Sequence, residues 1–351
     1  MPEVKNLKKH NPYISYIKGW AIISVILIHL LDWSEMGQPK GLQPFKELLY
    51  PSVLFFIANA GSVIYLAYSG YDSLKKPTLR LIQRGLELIG VYFLYTLIKF
   101  YIFNFGQEPF YQQFIGQGKF SLTHLLTLQS YSVPISIILT IGAFLIISPL
   151  LLWLVRKTKY PKSLIGVLIA LVLIFNYVLP LPQNTLTNFL YSKNLILFPL
   201  LLWLLPFLMG FYLALDGMDK HKRRYLIIFG FLTAGFYFYL SGQGAWLRPS
   251  GYMYPLRLYY IFYSFTLMYL LFYLFTWLKK FNGKLLKYVL ATLRALGDYT
   301  LSLYVLHWVV IDLILWIFYP KGYFIWPGVI LLLAVFIGWR RERIKQYLAL
   351  D

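Results

Sequence analysis

Apolar residues run through this chain in ten blocks of about the length that crosses a bilayer core as a helix, at 14–33, 52–71, 84–104, 134–155, 163–181, 196–215, 225–241, 256–277, 298–318 and 324–340. Short polar segments separate them. The pattern predicts an all-α fold, a polytopic transmembrane helical bundle of about ten spans. It reads as a single domain over 1–351, because no composition shift, low-complexity tract or soluble appendage interrupts it. The first block follows a basic leader with no small-residue cleavage pattern, and this predicts a retained first helix rather than a removed signal peptide.

Composition agrees with the pattern. The chain is 59% hydrophobic and 13% charged, against about 25% charged residues in a soluble domain, so bilayer is the expected solvent. The net charge of +20 invites a nucleic-acid partner, but that would need basic residues gathered on one soluble face. Here 25 of the 33 lysines and arginines fall in every second connection: around Lys5 to Lys18, Lys75 to Arg84, Arg156 to Lys162, Lys220 to Arg224, Lys279 to Arg294 and Arg340 to Lys345. Cytoplasmic loops carry this excess. The alternation predicts both termini in the cytoplasm of a multi-pass protein of the inner (plasma) membrane, with membrane lipids as partners and no nucleic acid. The absence of cysteine excludes a disulfide framework, a thiolate metal site and a cysteine nucleophile.

Ionisable groups inside a span are costly and are read first as functional. The first span carries His29 and Asp32, the third Glu87 near its cytoplasmic end, and the ninth His307 and Asp312. His29 lies eleven residues beyond Lys18, roughly 16 Å deeper along a helix. His307 sits about 14 Å beyond Asp298 on a helix running in the same direction. Asp32 is three residues from His29, close enough to orient the imidazole. The residues alone leave His29 open between a catalytic base and a hydrogen bond that staples two helices. For His307 the structural role is the plainer one. The longest outer connection, 105–133, holds a stretch at 121–130 that predicts a short interfacial helix, with His124 interfacial. Arg80 and Arg84, four apart, fit either a positive-inside anchor or a phosphate clamp.

Two stretches resemble the membrane acyltransferase-3 family. Tyr16 to His29 reads YIKGWAIISVILIH and is similar to the family's first-helix signature, a basic residue followed eleven positions on by His, with Lys18 in place of the usual Arg. Gly297 to His307 reads GDYTLSLYVLH and resembles the late-helix pattern that ends in His. Between them Leu54, Phe55 and Phe56 followed by Gly61 resemble the second-span element, with an extra residue and Ala60 where Ser is usual. Arg80 and Arg84 match the basic entry to the third helix.

The resemblance implies transfer of an acyl group, commonly acetyl, from cytoplasmic acyl-CoA to a hydroxyl of a cell-envelope sugar, glycolipid or polysaccharide. His29 would be the general base or a transient acyl carrier, Asp32 would orient it, and His307 is a further catalytic candidate. Lys18, Arg80 and Arg84 would hold the CoA phosphates. Lys18 offers a point charge where Arg would offer a planar fork. The implied partners are acyl-CoA as donor and a carbohydrate or lipid-linked glycan as acceptor, and no metal is expected.

Two other readings compete. The membrane-bound O-acyltransferases also use an intramembrane His, but their spans are less regular and the Lys-to-His spacing is not their mark. A proton-coupled transporter of a small polar solute or glycan precursor would also place His and Asp at depth, yet no repeat relates the two halves of the chain, as transporters often show.

Overall fold

The computed structural model describes residues 11–33, 42–101, 114–116, 123, 126, 130–132, 135–178, 188–191, 198–245, 247–281, 283–318 and 325–350. Among the described residues, helix occupies most of each of the ten apolar blocks. Among the described residues six helices are long and apolar enough to cross a membrane, or seven if one bent pair counts as a single span. Three more apolar helices, Pro161–Tyr177, Leu200–Asp216 and Ile325–Trp339, are 15 to 17 residues long, shorter than the roughly 20 residues that span hydrocarbon without thinning or tilt. The chain is a multi-pass membrane protein. Most of 121–130, His124 included, lies outside the described residues, and Ser130–Ser132 (β2) pairs antiparallel with Phe114–Gly116 (β1).

The chain divides into two compact units. The first holds most of α3 (Ser52–Tyr68), with α4 (Lys75–Tyr101), α5 (Ser136–Lys157), α6 (Pro161–Tyr177), the short α7 (Asn188–Tyr191) and α8 (Leu200–Asp216). Its helices pair through small residues that let backbones meet. Ser62 Oγ on α3 donates to the Gly210 carbonyl of α8 at 2.8 Å, across a crossing so close that a Cβ on Gly210 would lie 1.9 Å from the Ala58 oxygen. At the basic end, the Arg156 guanidinium donates to the carbonyls of Ser69 (3.2 Å), Tyr68 and Asp72 (each 3.4 Å), and Tyr71. A cation there meets carbonyls at and just beyond the negative dipole end of α3. Arg156 is therefore a specific helix cap as well as one of the basic loop residues.

The second unit holds α1 (Pro12–Trp33), α2 (Gln43–Leu49), α9 (Lys222–Gly242), a 3₁₀ turn at Pro249–Tyr252, α10 (Leu258–Leu278), α11 (Lys284–Asp298), α12 (Thr300–Phe318), α13 (Ile325–Trp339) and α14 (Arg341–Leu350). Phe229 of α9 lies against Phe265 and Tyr269 of α10, and Thr233 meets Thr266 at 3.0 Å. α2 is tied to the 3₁₀ turn by Glu47, which accepts from Ser250 N–H at 2.9 Å and Ser250 Oγ at 2.6 Å.

α11 was not expected as an element. Its lysines and arginine read as a cytoplasmic loop, whereas they form the polar side of an amphipathic helix that meets α12 at an 82° bend. Its apolar side, with Leu290, Ala291, Leu293, Ala295 and Leu296, is buried. Ala291 and Ala295 pack with Ile344 and Tyr347 of α14. Gly19 of α1 and Gly297 of α11 set the closest approach. A Cβ on Gly19 would lie 2.0 Å from the Leu293 oxygen, and one on Gly297 would lie 1.9 Å from the Ser15 oxygen. Only glycine permits this backbone contact.

Candidate active site

α1 and α12 are predominantly apolar, so each polar side chain they bury needs a partner within the protein. The structure brings the two histidines together. Nδ1 of His29 lies 2.9 Å from Nε2 of His307, with the rings nearly parallel at 7°. His307 is fully buried and His29 half-buried, so His29 is the more exposed member of the pair. The Trp308 ring packs 4.3 Å from the His29 ring, centroid to centroid. Tyr304 stands edge-on to His307 at 5.3 Å and is itself met edge-on by Phe56 at 6.1 Å.

The hydrogen-bond partners assign the tautomers. His307 Nδ1 faces the Leu303 carbonyl, one turn back on α12, at 3.2 Å. A carbonyl only accepts, so this nitrogen carries the hydrogen and the neutral ring offers the lone pair of Nε2. His29 must then donate from Nδ1. That leaves the His29 Nε2 lone pair as the basic atom of the pair.

His29 thus has His307 on its Nδ1. Asp32, expected to orient His29, stands in the last turn of α1, and its side chain lies outside the described residues. Asp312 is fully buried on α12.

At the other end of α1, Lys18 is half-buried and lies near the Asp298 carboxylate. Asp298 accepts from Ser15 Oγ at 2.9 Å and from the Tyr347 hydroxyl of α14. Burial first, then the Asp298 hydrogen bond and charge, push the Tyr347 hydroxyl up to about 12. Sequence reasoning missed Asp298, Ser15 and Tyr347. Asp298 follows Gly297 inside the late-helix motif, a signal that was present, whereas nothing local marks Tyr347.

Arg80 and Arg84 belong to the first unit and share one exposed face of α4, as their spacing predicts. Arg84 pairs with Glu87 at 2.9 Å, with its side chain 74% exposed. Arg80 reaches the Tyr71 hydroxyl at 3.5 Å.

A family model described as an acyltransferase domain matches residues 11–339, nearly the whole chain. No curated protein and no solved structure matches it.

Proposed function

The chain belongs to the acyltransferase-3 family, and from that premise we propose that it moves an acyl group, with acetyl the first candidate, from acyl-CoA to a hydroxyl of a cell-envelope sugar, glycolipid or polysaccharide. The setting proposed is the inner (plasma) membrane. The observation that carries this reading is the His29–His307 hydrogen bond of 2.9 Å.

In this mechanism the acceptor hydroxyl gives its proton to Nε2 of His29 while its oxygen attacks the thioester carbonyl. The tetrahedral intermediate collapses with breakage of the carbon–sulfur bond. The CoA thiolate takes the proton from His29 and leaves as the thiol. While His29 is cationic, His307 Nε2 accepts a charge-assisted hydrogen bond from its Nδ1–H, and the Leu303 carbonyl keeps His307 in the accepting tautomer. A positioned base of this kind supplies about 10²–10⁴-fold in rate. Lys18 on the same helix, and Arg80 and Arg84 on α4, are the proposed donor contacts from the sequence, and Asp32 remains a proposed orienting group.

Radiolabelled acetyl-CoA incubated with reconstituted protein and envelope glycolipid extract tests the reading. Label should enter the extract with wild type and not with His29→Gln, which keeps hydrogen bonding but takes up no proton at neutral pH. Equal labelling by the glutamine variant would remove His29 from the mechanism. Proton-driven solute uptake with no acyl transfer would favour a transporter.

A further inference from the structure

A proton taken up by His29 leaves a cation on a side chain of a predominantly apolar helix, and charge held at that depth needs a partner. His307 supplies one through the 2.9 Å bond. The far nitrogen of His307 meets the Leu303 carbonyl, and the remaining contacts of the two rings are aromatic. Among the described residues neither imidazole is bonded to a carboxylate.

Trp308 stands where such a group would act. It follows His307 on α12, shares a buried face of that helix with Tyr304 and is 2% exposed. Its ring centroid lies 4.3 Å from that of His29 at a tilt of 47°, and 5.4 Å from that of His307 at 44°. The first distance is shorter than the about 4.5–7 Å usual for aromatic pairs, too close for two rings to meet edge to edge, so the imidazole rests against the π system. Because the histidine rings are within 7° of parallel, one indole meets both at nearly the same angle. A cation within about 6 Å of a tryptophan face is attracted by the ring quadrupole, most strongly where water is excluded. An indole also suits a charge that comes and goes. It is uncharged while both histidines are neutral, whereas a carboxylate in its place would then be a buried anion without a partner.

We propose that Trp308 is a positioning residue of the proton-transfer pair: its π system stabilises the imidazolium that forms on His29 as the acceptor hydroxyl loses its proton, and its bulk holds the His29 ring against His307. This rests on the general-base reading above and adds a residue that the sequence did not single out. A tryptophan that only fills space predicts something different. Any ring of the same shape would serve as well, whereas stabilisation of a cation depends on the electron density of the ring. Fluorine withdraws that density and changes the size of the ring little.

The test uses the full chain in nanodiscs, with tryptophans carrying successively more ring fluorines introduced at position 308 alone by nonsense suppression. With acetyl-CoA and envelope glycolipid extract as substrates, the logarithm of the single-turnover rate should fall in step with the number of fluorines. The whole series should span about 10–30-fold, the size of a desolvated cation–π contact, while KM for acetyl-CoA keeps its wild-type value. Trp308→Phe should fall within the series and Trp308→Leu below it. Should the leucine variant fail to fold, the fluorinated chains carry the test, because they keep the shape of the ring. The same series at Trp153, 49% exposed on α5, should leave the rate unchanged. Equal rates across the series at position 308 overturn the proposal and return Trp308 to packing. A rise in KM without a fall in rate also overturns it and assigns the residue to donor binding. Undiminished transfer by His29→Gln is a separate result that removes the base reading itself, whatever position 308 does.

Discussion

His29 and His307 stand 278 positions apart in the chain, yet their facing nitrogens are 2.9 Å apart. The contact links the first-helix motif to the late-helix motif through one proton. The Leu303 carbonyl, 3.2 Å from the far nitrogen of His307, sets the direction in which that proton is donated.

This relay predicts unequal effects for its two members. His29→Ala and His29→Gln should abolish transfer. His307→Gln should lower kcat by about 10–100-fold, less than the roughly 10²–10⁴-fold ascribed to the positioned base itself, and leave KM for the acyl donor unchanged. Steady-state kinetics on reconstituted protein decide it, and a KM effect without a kcat effect at His307 would assign that residue to binding instead.

A substitution at the α1–α11 crossing should be structural. Gly19→Val places its Cβ on the Leu293 carbonyl, 2.0 Å away, and neither backbone can yield as a side chain would. The expected cost is at least the roughly 1–3 kcal/mol of an overpacked core. Gly90→Ala on α4 meets nothing within 4 Å and should be neutral. Thermal unfolding in one detergent compares the two, and equal midpoints would mean that the helices part without cost.

Tyr347 predicts an alkaline effect. Its folded-state value of about 12 stands above the ordinary 10.0, so the folded protein holds this proton more tightly than the unfolded chain does. The resulting stability is fully present below about pH 10 and is lost as pH rises through about 12. The thermal midpoint of the wild type should therefore fall more steeply over that window than that of Tyr347→Phe. Parallel curves would show that the hydrogen bond to Asp298 adds nothing to the docking of α14.

The basic alternation predicts sidedness, and the absence of native cysteine makes it easy to read. Cysteines at Ser73, Lys159 and Asp219, each exposed, should be protected from an impermeant thiol reagent in intact cells. One at exposed Gln243 should react. Labelling of the first set would break the ten-span topology with both termini in the cytoplasm.

The membrane class, the helical blocks and both histidines were legible in the sequence, because hydropathy acts locally and an ionisable group in an apolar run stands out without a fold. The family resemblance on Lys18, His29, Gly297 and His307 was likewise legible and agrees with the family match over 11–339. α11 was not, since the polar side of an amphipathic helix and a basic loop present the same residues until a neighbour covers the apolar side. Nor could spacing pair His29 with His307, or direct Ser15 and Tyr347 to Asp298. Partner choice depends on how closely two backbones approach, and that was decided by tertiary contacts such as Gly19 on Leu293 and Gly297 on Ser15, where the absence of a side chain lets the helices touch.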